Sequence, residues 1–219
     1  MMKSMKILSH GSAEVLSDKL RSFNLHAEGD FLDLCRLPND DVIRFFASLE
    51  ETAAFVFHGT NAAEKFETLV PHQSNDASKE SGNKKAIYAD GTAVVPMAVA
   101  ILNKSYLQDK LKSFVTGWDI KQGKTVFKFS GNIYALLKEG DTRLFSEGHV
   151  YILDRSDFVN ADDAGGEWHS EQARKPLLAV RISPNLASEI YIMNPIESKT
   201  VYEYSPEEEK RVFDFAHKK

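Results

Sequence analysis

Phe55-Val56-Phe57-His58-Gly59-Thr60 is an apolar run that stops on a titratable ring and a glycine. Aromatic and β-branched residues in so short a run read as a buried strand, which places His58 at the strand's end. A glycine there lets the backbone approach a ligand with no side chain in between. Thr60-Asn61 then offers a cap for the apolar-periodic positions Ala62, Phe66 and Leu69, so the spacing predicts strand, tight His-Gly turn and helix. A histidine at a strand end is, taken alone, more often a hydrogen-bonded structural group. Its meaning depends on the partners the chain supplies.

Upstream, Ser12 reads as the cap of a first helix with Val15, Leu16, Leu20 and Phe23 at helical spacing. A second helix starts near Asn39, after Pro38, with Val42, Ile43, Phe46 and Leu49 on one face. Residues 1–50 thus read as a helical extension packed on the core, with Cys35 between the helices as inert packing. Downstream, residues 71–85 are polar throughout except for Ala77 and read as a loop. Ala86-Ile87-Tyr88-Ala89-Asp90-Gly91 is a short strand and turn, and Thr92 or Ala93 opens a helix containing Val95, Met97, Val99, Ile101 and Leu102. Pro96 is tolerated only in that helix's first turn.

From Phe114 to Leu153 the pattern becomes short strands: Val126 to Phe129, Ile133 to Leu137, and Gly148 to Leu153. An acidic loop runs from Asp154 to Gly166, Glu167-Trp168-His169-Ser170 follows, and strands are expected at Leu177 to Ile182 and Ile190 to Met193. A last helix spans Pro206 to Phe215. Few helices and many short strands indicate the α+β class, with a core over 51–195 and a tail over 196–219.

Composition excludes several functions. In 219 residues no apolar run approaches the ~20 residues of a membrane span. Residues 1–12 lack the apolar stretch of a signal peptide and there is one cysteine, so the expectation is a cytoplasmic protein. The net charge is −5 and basic residues are scattered among carboxylates, which disfavours a reader of nucleic-acid backbones. Seven histidines include no HExxH and no pair at i, i+4; Asp162, Asp163 and Glu167 lack the spacing of a calcium loop; and no phosphate-cradling glycine motif is present. No metal is expected.

FHGT at 57–60, AIYADG at 86–91 and GEWHS at 166–170 follow one another in chain order. Together they resemble the His-Tyr-Glu signature of the ADP-ribosyltransferase superfamily, as carried by diphtheria-type toxins and the poly(ADP-ribose) polymerases. The resemblance covers about Phe55 to Met193. It implies a split β-sheet core and NAD as co-substrate. It implies His58, Tyr88 and Glu167 as catalytic residues, and His58, Gly59, Thr60 and Tyr88 as NAD-binding residues. The residue matching His58 holds the adenosine-side ribose, and the glycine matching Gly59 holds the nicotinamide carboxamide through its backbone, with Thr60 assisting. Tyr88 offers its ring for stacking on nicotinamide.

The chemistry agrees with these residue types. Breaking the nicotinamide–ribose bond makes the sugar oxocarbenium-like, as in glycoside cleavage. A carboxylate ~4 Å from that charge at an effective dielectric of about 20 is worth ~4 kcal/mol. Glu167 is assigned this role, through the 2′-hydroxyl of the nicotinamide ribose. Glu171 lies four residues on, and on a strand it faces the same side as Glu167, so it competes for the assignment; Trp168 directly after Glu167 fits the family pattern and favours Glu167. Trp168 itself reads as packing beside the site, and His169 as a neighbour on the opposite face. Gly165, two residues before Glu167, has no side chain to orient an acceptor, whereas arginine-directed members carry E-x-E. An arginine acceptor is therefore disfavoured.

The resemblance thus implies a mono-ADP-ribosyltransferase, or an NAD glycohydrolase, acting on an unidentified macromolecule, protein or nucleic acid, with no membrane partner. The alternatives are an RNA 2′-phosphotransferase, a catalytically silent nucleotide- or partner-binding module of the same fold, and an α+β domain with chance matches. The phosphotransferase needs arginines beside the motif, and Arg143, Arg155, Arg174 and Arg181 stand apart from it.

Overall fold

The structure is a computed structural model that describes residues 11–73, 84–121, 124–161, 166–191 and 201–216. Strand β2 (Phe55–Thr60) contains the apolar run but continues through His58 and Gly59 to Thr60, all paired with a neighbouring strand, so the expected tight His-Gly turn is corrected to extended strand; the rest of the main sheet is laid out from its two edges. Along one edge all of β2 pairs antiparallel with β7 (Gly148–Asp154), from Phe55 opposite Asp154 to Thr60 opposite His149. Beyond β7 come β10 (Leu178–Ile182), antiparallel, and β1 (Phe31–Asp33), parallel to β10. Along its other edge β2 meets β4 (Lys85–Asp90) at a single pair, Phe57 opposite Asp90. From there β9 (Glu167–Ser170) and β8 (Val159–Asn160) continue the order, and β3 (His72–Gln73) pairs with the start of β4.

The sheet therefore has two halves joined at one residue pair. Among the described residues the β4-side edge of His58, Gly59 and Thr60 has no strand against it.

Alternation along the strands gives each face its own core. Phe55, Phe57, Val150, Ile152, Leu178, Val180 and Ile182 enter the main core, which is covered by helices; Val56, Ile87, Ala89, Tyr151, Leu153 and Ala179 form a smaller cluster on the other face, with Phe158 and Trp168 against it. Helix α1 (Ser12–Ser22) contributes Leu16, and α2 (Asn39–Glu50) buries Val42, Phe45, Phe46 and Leu49 on one face. Full burial of each such α2 side chain stabilises by about 1.5–3 kcal/mol.

Helix α3 (Val94–Ile101) buries Val95, Pro96, Met97, Ala98, Ala100 and Ile101, so its sequence is apolar all round. It lies directly on the sheet. A Cβ at Gly59 would come within 1.9 Å of the Pro96 carbonyl oxygen, and one at Gly148 within 1.9 Å of the Ala100 carbonyl oxygen. Those two carbonyls are one helical turn apart, so two glycines on neighbouring strands form the bed on which α3 rests. The glycine at 59 is thus required by a helix, on the side where a side chain would stand.

The first amide of α3 finds its acceptor on another helix. Ala93 at the N-cap has no capping side chain of its own, and the Glu50 carboxylate accepts from its N–H at 2.7 Å. Burial pushes the Glu50 carboxyl above its usual range, and the charge of Asp90 adds to the effect. Glu50→Ala is expected to cost about 1 kcal/mol, as loss of an N-cap does, and Glu50→Gln to be near neutral; denaturant unfolding of the two variants measures the difference.

A second, three-stranded sheet is made by the hairpin β5 (Thr116–Lys121) and β6 (Lys124–Phe129), with β11 (Val201–Glu203) parallel to β6. Phe127 and Phe129 carry it into the main core, where Tyr191 stacks edge-on with Phe127 at 4.9 Å. The remaining helices are α4 (Lys104–Lys110), α5 (Gly131–Lys138), α6 (Ala187–Ile190) and α7 (Pro206–Ala216). The class is α+β. Among the described residues no helix is long and apolar enough to cross a membrane.

Four other local expectations are corrected. Ile133–Leu137 is helical, within α5, because Ile133 and Leu136 are buried three residues apart on one helix face. Ile190 closes α6 instead of opening a strand, and Met193 lies outside the described residues. The first fifty residues contain β1, an edge of the main sheet, as well as their two helices. Residues 61–71 form no helix: the Asn61 amide nitrogen donates to the carbonyl of Ala100 at 2.7 Å and to Ser146 Oγ at 2.9 Å, which turns the side chain toward α3 and Ser146.

Candidate functional site at the seam of the sheet

His58 stands where the two half-sheets part. Its Nδ1 lies 2.6 Å from the backbone carbonyl oxygen of Tyr88. A carbonyl only accepts, so Nδ1 carries the proton, and in the neutral ring Nε2 is left as an acceptor. The imidazole takes the place of a ladder hydrogen bond at the seam. Burial pushes its pKa below the ordinary histidine value, the bond to Tyr88 opposes this, and His72 and Lys104 add a further lowering by charge.

Tyr88 is half-buried on β4, and its hydroxyl donates to the Lys84 carbonyl at 2.8 Å. Asp90, two residues on, stands directly opposite Glu167 on β9, and Tyr88 stands opposite His169. Residues paired in this way share a face. Tyr88, Asp90, Glu167 and His169 therefore line one face, with Glu167 diagonal to Tyr88 at a Cα separation of about 7–8 Å. Glu167 is half-buried with one carboxylate oxygen fully enclosed, while Glu171 lies exposed past the end of β9.

The structure thus joins His58 to Tyr88 directly and sets Glu167 one strand further out. Thr60 ends β2 opposite His149, whose Nδ1 donates to the Ala62 carbonyl at 3.2 Å. The expectation that His169 faces away from Glu167 is corrected: two residues apart on one strand, they share a side. Gly165, Asp162 and Asp163 lie outside the described residues.

Asp90 is the residue the sequence reading missed. Its signal was present, since a strand residue two after Tyr88 shares the tyrosine's face. Its Oδ1 accepts from Thr92 N–H at 2.7 Å and from Thr92 Oγ1 at 2.9 Å, which fixes it at the turn into α3. A second acid beside Glu167 therefore comes from the neighbouring strand and not from position 165.

Trp168, on the opposite side of β9 from Glu167, packs against the smaller cluster, with the Arg155 guanidinium 4.1 Å above its ring. Arg143, Arg174 and Arg181 are also engaged by protein groups, with Asp141, Asp157 and Asp33. Among the described residues no group of three or more His, Cys, Asp or Glu could hold a metal ion. The Cys35 thiol is pushed up to about 12 by burial and by Asp33, in keeping with an inert thiol.

His58, His149 and His169 all have pKa values lowered by burial. Their unfolded-state value is about 6.5, so the unfolded chain binds more protons near that pH and the fold loses stability as the pH falls. The thermal midpoint is expected to fall between about pH 7 and pH 5, above the ordinary carboxylate values, with the raised Glu50 carboxyl opposing the fall. A midpoint flat across that interval would show that these rings are protonated in the fold without penalty.

No family model matches this chain, and neither a curated protein nor a solved structure matches it.

Proposed function

We propose that this chain is an NAD-dependent mono-ADP-ribosyltransferase, or an NAD glycohydrolase, with the split sheet of the ADP-ribosyltransferase superfamily as its core. The observation that carries the reading is the seam. His58 bonds the Tyr88 backbone at the one place where the halves of the sheet meet, the edge of Gly59 beside it has no strand against it among the described residues, and Glu167 lies one strand away on the face of Tyr88.

Each part has work to do in that reaction. The backbone edge of Gly59, against which no strand lies among the described residues, is suited to a carboxamide, which offers one donor group and one acceptor, as a neighbouring strand would. The His58 Nε2 acceptor takes a ribose hydroxyl. The Tyr88 ring supports the nicotinamide, and the Glu167 carboxylate opposes the positive charge that grows on the ribose as nicotinamide leaves. The C–N bond breaks with its electron pair going to nicotinamide, and ADP-ribose passes to water or to a macromolecular nucleophile.

Incubation of the purified chain with NAD, followed by measurement of free nicotinamide, tests the reading. Release above the uncatalysed rate is expected, and labelled NAD in a cell lysate then identifies the acceptor. Absence of both release and binding at millimolar NAD would overturn it.

A further inference from the structure

The segment between β2 and β3, residues 61–71, has neither helix nor strand, yet beyond the Asn61 bonds it is tied down along its length. Leu69 and Arg174 exchange backbone hydrogen bonds at 2.9 Å each, the Ala62 carbonyl accepts from His149, Lys65 pairs with Asp30, and the Phe66 N–H donates to the Tyr151 hydroxyl at 2.8 Å. The Phe66 ring lies nearly parallel to that of Tyr151, with centroids 6.2 Å apart and planes at 15°. Tyr151 in turn lies 6.2 Å from the His58 ring. Phe66 is 45% exposed, and of the four exposed large hydrophobic side chains among the described residues, Phe66 and Val70 both belong to this one strap.

An aromatic ring held against Tyr151 and still partly exposed has given up much of its freedom before any ligand arrives. Stacking on it costs little ordering entropy. It sits two rings along from His58, on the adenosine side of the proposed site, and NAD carries one flat aromatic group on that side, its adenine.

We propose that Phe66 is the platform on which the adenine of NAD stacks, and so the residue by which the site selects a dinucleotide over a mononucleotide. This rests on the NAD reading above. The strap holds the ring at a set distance from the imidazole, and the ribose at His58 Nε2 places the base over it. The two salt bridges of Lys65, to Asp30 and Glu67, keep that side chain occupied at the strap's edge, so selection here rests on stacking and not on a new charge.

The test compares binding of NAD and of nicotinamide mononucleotide, which lacks the adenosine half, to the wild-type chain and to Phe66→Ala, Phe66→Leu and Phe66→Trp. Stacking of a base on an aromatic side chain is worth roughly ten- to a hundredfold in affinity. Phe66→Ala is expected to weaken NAD by at least about tenfold and the mononucleotide by less than about twofold. Phe66→Leu, which keeps apolar bulk on Tyr151 without a flat face, should lose as much, and Phe66→Trp should hold NAD as well as the wild type. Unchanged NAD affinity in Phe66→Ala and Phe66→Leu, or an equal loss for both ligands, overturns the platform while the enzyme reading stands. A wild-type chain that binds no NAD overturns both.

Discussion

Glu167→Gln is expected to slow nicotinamide release from NAD roughly a thousandfold while the chain stays folded, and Glu171→Gln to change the rate by less than about twofold. The size follows from charge. A carboxylate about 4 Å from a developing cation at an effective dielectric near 20 contributes ~4 kcal/mol, and the neutral amide keeps the shape without that attraction. Folding should survive because the Glu167 backbone, not its side chain, makes the pairing to Asp90. Two acids directly opposed across an antiparallel pair repel, so the amide even relieves strain in the ground state. Glu171 is exposed beyond β9, so its charge is screened by water. A Glu167→Gln variant that keeps more than about a tenth of the rate, or a Glu171→Gln variant that loses it, would move the charge-stabilising role elsewhere.

How much of this could be read from the chain depends on the range over which each signal acts. β2 and α2 were legible because their burial is written in adjacent residues: FVF for the strand, and Val42, Phe46 and Leu49 at helical spacing for the helix. α5 was not, because NIYALL is apolar at nearly every position and fits either period; only the burial of Ile133 and Leu136 decides it. Residues 61–71 carry a capping signal in Asn61, and tertiary partners from α3 and from Ser146 outbid it. The three residues of β1 pair with a strand almost 150 positions later, which no local pattern foretells. In the candidate site, His58 and Tyr88 were found by motif, yet their direct bond runs from a ring to a backbone carbonyl and has no sequence signature. Asp90 shares the face of Tyr88 by period-2 alternation, but its place opposite Glu167 is set by the pairing of β4 with β9, strands almost 80 residues apart that no local pattern joins.

The other large effect concerns the fold under the site. Gly148→Ala and Gly59→Ala are each expected to destabilise the chain by about 3 kcal/mol or more, at or beyond the upper end of ordinary overpacking. In a chain of this length that lowers the thermal midpoint by roughly 6–12 °C. Both methyls would point at backbone: the Pro96 carbonyl oxygen at 1.9 Å for Gly59, and for Gly148 the Ala100 carbonyl oxygen at 1.9 Å with the Thr60 carbonyl oxygen at 3.0 Å. A rotamer change cannot relieve either contact. The helix would have to lift from the sheet, and with it would go contacts of Met97, Ala98 and Ile101, all buried in the main core. Gly166→Ala is the control, because an added Cβ there meets nothing within 4 Å among the described residues and the midpoint should hold. The comparison also separates two reasons for a glycine beside His58. If ligand clearance alone demanded it, Gly59→Ala would lose NAD affinity at an unchanged midpoint, whereas Gly148→Ala would lose stability. Equal falls in midpoint for the two variants are expected instead, since carbonyls one turn apart on the same helix set both positions, and the backbone edge that Gly59 offers at the seam is a consequence of how closely α3 must lie on the sheet.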